Sequence, residues 1–488
     1  MGCYIGLDFG TSSIKATAID DSGQTLIRAR VPCETVSPES GWFEVEAETM
    51  WRGGLERALA RLGSALVRSA RAVCVSSVCA SFVPVDENLS PLYNAILYGI
   101  DTRAREQVER LNATLPPAVI SKIAGAGFTS HSVLPKLLWL KERLPDLYRR
   151  TRYFLESGNF VTSYLTGEAA WDGPSAAGGH MVDLERIEYP LDLLRDMGLD
   201  SKKLPRLANS LDVLGTVGAA AAARTELPEG IPVLVGACDV NAEAFASAAV
   251  DPGELTFVYG STVSTLFILD SFKSLSGFLT GPSLLAGTYR AGGATSSGGR
   301  YLDWVRDFAG LRERPAITAT STPSRLLMVP YLDGARTPNQ EPKARVAWYG
   351  MDSFTTGEDL WKAAMESIGY ELALVLRRLS EAAPLPRFIH AMGGLSSNQD
   401  FLQIVSNITG VPHLRFPDVD ASYGDALMAL SAERGMDAVR AIWKERGKNR
   451  AGDREGVDLV APETGAHERY SELMSKYIQL NDTVLRLA

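Results

Sequence analysis

The sequence predicts an α/β protein of two domains, and three observations carry that prediction. Its 488 residues exceed what one hydrophobic core organises and suit two domains of roughly 200 residues each. Apolar strand-like runs alternate with stretches of helical spacing. A strand–turn–strand unit near the N-terminus is laid out again halfway along the chain, which points to an internal duplication.

The elements follow in order. Cys3–Phe9 is an apolar run holding one acid, Asp8, and reads as a strand. Gly10, Thr11, Ser12 and Ser13 form a tight turn, and Ile14–Asp20 alternates with period two. Met50, Trp51, Leu55, Leu59, Leu62 and Leu66 recur at three- and four-residue intervals and predict a helix over 47–69. Strands are expected at Ala72–Val78 and Phe82–Asp86, and a helix face at Leu134–Glu142. Pro232–Asp239 reads as a buried strand ending in an acid, with helical Ala242–Val250 behind it. The turn at Gly253 puts the domain boundary near residues 241–254. The second unit of the duplication is Leu255–Tyr259, then Gly260-Ser261-Thr262, then Val263–Asp270. Helical spacing runs from Asp359 to Glu381, a strand is expected at Phe388–Met392, and a helix begins near Gln399. Lys444–Gly456 is charged, and the end of the chain reads as a surface helix.

Composition limits the function. With 45% hydrophobic and 22% charged residues this is a soluble globular chain, and a net charge of −9 argues against a nucleic-acid partner. Cys3, Cys33, Cys74, Cys79 and Cys238 form no CxxC pair, as expected of buried thiols in a reducing compartment. No basic segment with an apolar run opens the chain, and no eighteen-residue apolar window exists, so a cytoplasmic protein with no membrane contact is expected. The five histidines are scattered without metal-ligand spacing.

Four places carry chemistry. A Gly–hydroxyl turn such as Gly10–Ser13 offers backbone N–H groups and hydroxyls to phosphate oxygens, and an acid beside it can hold hydrated Mg²⁺; the competing reading is an ordinary hairpin with a strand-end Asp8. Gly260-Ser261-Thr262 repeats the turn, so two such turns facing across a cleft would clamp a triphosphate. Asp239, at a strand end before a helix, is placed to take a hydroxyl proton, although helix capping is the alternative for such a residue taken alone. Gly393 and Gly394 follow a strand and precede a helix, where a nucleotide can approach the backbone; a plain loop is the alternative.

Taken together and in this order, the segments resemble the FGGY family of carbohydrate kinases over about residues 3–440, with xylulose kinases the nearest subgroup. Gly6–Lys15 resembles the first phosphate motif, Gly41-Trp42-Phe43-Glu44 with Trp51 a GWxE…W segment, and Ala95–Arg103 the substrate strand. Pro135–Glu142 matches most of one family signature, Gly236–Asp239 the catalytic-base motif, and Pro330–Pro338 a PYLxGERTP motif. Gly393–Ser396 and Gly424–Ala426 resemble the adenosine elements.

The resemblance implies two ribonuclease-H-like domains of the actin-like ATPase superfamily around a central cleft. Residues 1–243 would bind mainly sugar, 244–440 mainly ATP, and 441–488 would form a helical tail. It implies ATP and Mg²⁺ as cofactors, Asp239 as base, Asp8 at the metal, and phosphate contacts from Gly10, Thr11, Ser12, Ser13, Gly260, Ser261 and Thr262. Gly393 and Gly394 would face the nucleoside, and a homodimer is a family-level expectation. For the acceptor it implies Asp101, Arg103, Cys79, Ala80, Asn159 and Asp239. Two departures bear on the acceptor: Ser77–Ser81 stands where xylulose kinases carry GQMHG, and Ser157–Val161 where the family has PKDYL, so its Asp is Asn159. A ketopentose such as xylulose is therefore expected beside alternatives among other sugars, polyols and aldonic acids. An actin-like ATPase without sugar chemistry is the rival class.

Overall fold

A computed structural model describes residues 2–317, 320–416, 418–448 and 458–488, and the chain divides into two compact units. The first comprises Met1–Val250, Gly281–Tyr289 and Val419–Glu445; the second comprises Asp251–Thr280, Arg290–Asp418 and Arg446–Ala488.

The first unit is built on β1 (Cys3–Phe9), β2 (Ser13–Ile19), β3 (Thr25–Pro32), β4 (Ala70–Ser77), β5 (Val213–Thr216), β6 (Pro232–Leu234) and β7 (Ala237–Cys238). They form one sheet in the order β5-β6-β4-β1-β2-β3, with β7 also on β4. β1 is antiparallel to β2 and parallel to β4. All seven residues of β1 are buried, as a strand covered on both faces requires. Ile5, Leu7 and Phe9 join Trp51, Leu55, Leu59, Val73, Val75 and Phe160 in one core, each side chain contributing about 1.5–3 kcal/mol by leaving water. β1 also lies against the helix Ala421–Lys448: a Cβ on Gly6 would meet Ser422 O at 2.1 Å and Ala426 N at 2.2 Å.

The second unit repeats the plan. β8 (Leu255–Tyr259) and β9 (Val263–Leu269) are antiparallel, and β8 is parallel to a later strand, β12 (Ile389–Met392). With β10 (Leu279–Pro282), β11 (Tyr289–Ala294), β13 (His413–Arg415) and β14 (Asp458–Val460) the order is β10-β11-β9-β8-β12-β13-β14. Each unit thus places a hairpin beside a parallel strand, in agreement with the duplication inferred from the two turns. The helix Gly357–Leu379 buries two acids, Glu366 and Glu371.

Differences from the sequence reading have local causes. The helix expected over 47–69 is three pieces, with a π-helical turn at Ala47–Arg52 and a break at Gly63, whose φ is +92°. The strand expected at 232–239 is interrupted at Gly236, where φ is +94° and a Cβ would meet Val75 O at 2.1 Å; only glycine tolerates both conditions. The terminal helix Ala466–Leu487 buries Ala466, Tyr470 and Tyr477. Of the charged stretch at 444–456, residues 449–456 lie outside the described residues. The five cysteines are free thiols.

Candidate active site

In the first unit three strand ends are level. Ser77, the last residue of β4, is the register partner of Phe9 on β1 and of Cys238 on β7. The turn Gly10–Ser13, the loop Val78–Ser81 and Asp239 therefore leave the sheet side by side at the carboxyl ends of parallel strands, where open α/β sheets carry their sites. Val78 N donates to Phe9 O at 3.2 Å, and Gly10 N to Ser13 O at 3.1 Å.

Asp8 and Lys15 face each other across β1 and β2, with Nζ 3.1 Å from Oδ2. Lys15 also lies 3.7 Å from Asp420. Burial raises the Asp8 carboxyl above its usual range, with Lys15 pulling the other way and Asp420 adding to the rise. Burial opposes the Lys15 ammonium, but Asp8, Asp420 and Glu243 outweigh it and raise it.

Asp239 is half-buried and is the first residue of the helix Asp239–Ala246, whose capping position is Cys238. Its Oδ1 accepts from Val240 N at 2.8 Å. Glu243, one turn further on, has its carboxyl held well above the usual range, first by burial and then by Asp239 and Asp8. Asp425, buried, accepts from Ser76 Oγ at 2.6 Å. Sequence reasoning placed Lys15 and Asp425 within motifs but gave neither a role of its own, and it assigned no part to Asp420 or Glu243. The i,i+4 spacing from Asp239 was a usable signal for Glu243; nothing in the order of residues ties Asp420 to Asp8.

The expected acceptor residues fall into two places. Cys79 and Ala80 lie in the loop beside Asp239, Ala80 fully buried and Cys79 partly so, with Cys79 Sγ donating to Ser175 O at 3.5 Å. Asn159 is buried nearby, its Nδ2 3.4 Å from Val235 O. Asp101 and Arg103 form a closed ion triad with Glu44 instead. Arg103 donates from Nε and Nη2 to Asp101 and from Nη1 to Glu44 at 2.8 Å, while Phe43 N donates to Asp101 at 2.7 Å. Both side chains of the Asp101–Arg103 pair have 0% exposure, and the guanidinium lies over Trp42 and Trp139. A cavity of about 520 Å³ beside the triad is walled by Trp42, Tyr93, Arg103 and Trp139, among others, and not by Cys79, Ala80, Asn159 or Asp239.

In the second unit the turn Gly260–Thr262 is closed by Gly260 N donating to Thr262 O at 2.9 Å. It is clamped by the next segment, with Gly299 N to Gly260 O at 2.9 Å and Arg300 N to Ser261 O at 3.2 Å. Parallel pairing of β8 with β12 brings Gly393 and Gly394 beside this turn. Gly393 has φ +85°, and a Cβ there would lie 2.7 Å from Tyr259 O, whereas space beside Gly394 is open.

Two units that each set a glycine–hydroxyl turn at a strand end define an α/β phosphotransferase architecture. Residues 3–246 match the N-terminal domain of the FGGY family of carbohydrate kinases and residues 255–433 its C-terminal domain, so the chain belongs to that family and is a sugar kinase of actin-like ATPase fold. A xylulose kinase of Lactococcus lactis is 26% identical over 463 residues, covering 91% of this chain and 90% of the relative. A glycerol kinase of Nocardia farcinica is 26% identical over 467 residues, covering 90% and 92%. The xylulose kinase structure from Rhodospirillum rubrum shares the fold, with TM-score 0.87 at 24% identity and 99% of each chain covered. Among the described residues, no helix is long and apolar enough to cross a membrane.

Proposed function

We propose that the protein transfers the γ-phosphoryl group of ATP to a hydroxyl of a ketopentose such as xylulose, with Asp239 as general base. The observation that carries this reading is the level alignment of Phe9, Ser77 and Cys238, which sets the phosphate-type turn, the acceptor loop and Asp239 side by side. Asp239 takes the hydroxyl proton as the oxygen attacks the γ-phosphorus, and the bond from that phosphorus to the β-phosphate oxygen breaks to release ADP. Gly10–Ser13 and Gly260–Thr262 receive the phosphates, and Gly393–Gly394 the nucleoside. Residues 1–243 supply mainly the acceptor site and 244–440 mainly the nucleotide site.

Among the described residues, no three His, Cys, Asp or Glu side chains are grouped to hold a metal ion. That suits Mg²⁺, which keeps its waters and takes other ligands from phosphate oxygens, so Asp8 alone would anchor it. Asp8 and Asp420 both flank the single ammonium of Lys15, and that excess of carboxylate favours a dication at this place. When bound, the ion neutralises phosphate charge. Lys15, already paired with Asp8, is positioned to exchange that partner for a phosphate oxygen. A polyol is the second reading, favoured by the glycerol kinase relatives.

The test is acceptor-dependent ADP release over a panel of ketoses and polyols, in wild type and in Asp239→Asn. The variant should bind ATP normally and lose about 10²–10⁴-fold in kcat. Near-normal turnover would remove Asp239 from the role of base.

A further inference from the structure

The loop Val78–Ser81 is held largely by the segment Glu156–Gly158. Ser157 N donates to Ser81 O at 3.0 Å, Ser157 Oγ to Val78 O at 3.2 Å, and Gly158 N to Ser77 Oγ at 2.8 Å. The Glu156 carboxylate accepts from Ala80 N at 3.0 Å. Ala80 has φ +62°, a left-handed conformation that a residue with a Cβ adopts only against steric cost. Glu156 thus fixes the least favourable residue of the loop that stands beside Asp239.

A second acid meets the same loop. Asp172 accepts from Ser175 N at 2.9 Å, and Ser175 O receives the Cys79 thiol. Glu156 and Asp172 are 2% and 1% exposed. Burial, then the charge of Asp172, hold the Glu156 carboxyl well above its usual range, and the thiol of Cys238, next to Asp239, adds to the rise. With Glu156 held toward its protonated form, the negative charge beside the loop is that of Asp172.

We propose that the Glu156–Asp172 pair is the specificity element of the acceptor site. It fixes the acceptor loop and makes its surroundings anionic, so that the enzyme takes neutral polyhydroxylated acceptors and rejects sugar acids. This rests on the assignment of Asp239 as base and of Val78–Ser81 as the loop facing the acceptor. A carboxylate on the acceptor would enter beside Asp239 and the pair, where like charge at short range discriminates against it. Glu156 acts through Ala80 and is a positioning residue.

The experiment compares kcat/KM for a neutral ketose or polyol with that for the aldonate of equal carbon number. A preference of about a hundredfold for the neutral acceptor is expected, and equal use overturns the proposal. Glu156→Leu, which strands the Ala80 N–H, should raise the acceptor KM about tenfold while the ATP KM stays within about twofold. Glu156→Gln retains an oxygen for that N–H and should restore the acceptor KM to within about threefold. An unchanged acceptor KM in the leucine variant, or an equal rise for ATP, overturns the positioning role. If the leucine variant does not fold, the isosteric double variant E156Q/D172N decides: aldonate use relative to neutral acceptor should rise about tenfold, and an unchanged ratio overturns the proposal. Wild-type turnover with the wrong selectivity defeats this inference alone; no turnover on any acceptor defeats the kinase assignment beneath it.

Discussion

The hairpins that open the two units share one plan and differ in charge at the second pair from the turn. In the first, Phe9 pairs with Ile14 beside the turn, and the next pair is Asp8 with Lys15. In the second, Tyr259 pairs with Val263, and the next pair is Val258 with Ser264. The backbone device for presenting N–H groups at a strand end is therefore duplicated, while the charged pair is present only in the first unit. Around that pair gather Asp420, Glu243 and Asp239. The second turn is instead backed by a glycine pair, Gly298–Gly299, packed onto its carbonyls. One hairpin has become an electrostatic centre and the other a neutral cradle.

The largest expected effect breaks this contrast directly. Asp8→Ala should lower kcat about a hundredfold or more, whereas Ser264→Ala at the corresponding position should change it less than about threefold. Steady-state kinetics on both variants decide it, and comparable losses would mean that the two hairpins act alike. An intermediate effect is expected at the neutral cradle. A Cβ on residue 298 would lie 2.7 Å from Ser261 O and 2.8 Å from Thr262 Cα, so Gly298→Ala must displace the turn. The ATP KM should rise about tenfold or more, since small displacements of binding groups carry large kinetic penalties; an unchanged ATP KM would detach the second turn from nucleotide binding.

The last effect leaves turnover aside and concerns stability. Burial pushes the carboxyls of Glu366 and Glu371 up to about 8 from an ordinary 4.5. Between those values the folded chain holds protons that the unfolded chain has released. Stability should then fall as pH rises from about 4.5 to 8 and level off above, by at most about 1.4 kcal/mol per pH unit for each group. Melting curves from pH 5 to 9 should show a shallower decline in Glu371→Gln than in wild type, and an identical slope would exclude Glu371 as the source.

Much of this was legible in the residue order because both hairpins are local. Cys3–Phe9, Gly10–Ser13 and Leu255–Tyr259 carry their strand and turn signals within a few residues. The acid at the end of Gly236–Asp239 was legible for the same reason. What escaped depends on long-range packing. Asp420, just ahead of the helix that begins at Ala421, reaches Lys15 from some four hundred residues away in sequence, and Asp425 reaches Ser76 with a separation of 349. Arg103 is a further case: the family resemblance put it and Asp101 on the substrate strand, and that Glu44 and Phe43 join them in a buried triad is displayed only by the folded chain. The interruption at Gly236 was written in a single glycine, but its cause, the carbonyl of Val75, lies on another strand.

The close seat of β1 on the helix Ala421–Lys448 has a consequence for synthesis. Gly6 leaves the ribosome some four hundred residues ahead of the backbone it packs against, at Ser422 and Ala426. The hairpin of β1 and β2 can form early, but its helical cover arrives only after about four hundred more residues have been translated. During that interval the exposed side of β1 is a surface for chaperones to shield, and a chain cut before residue 419 never acquires its cover.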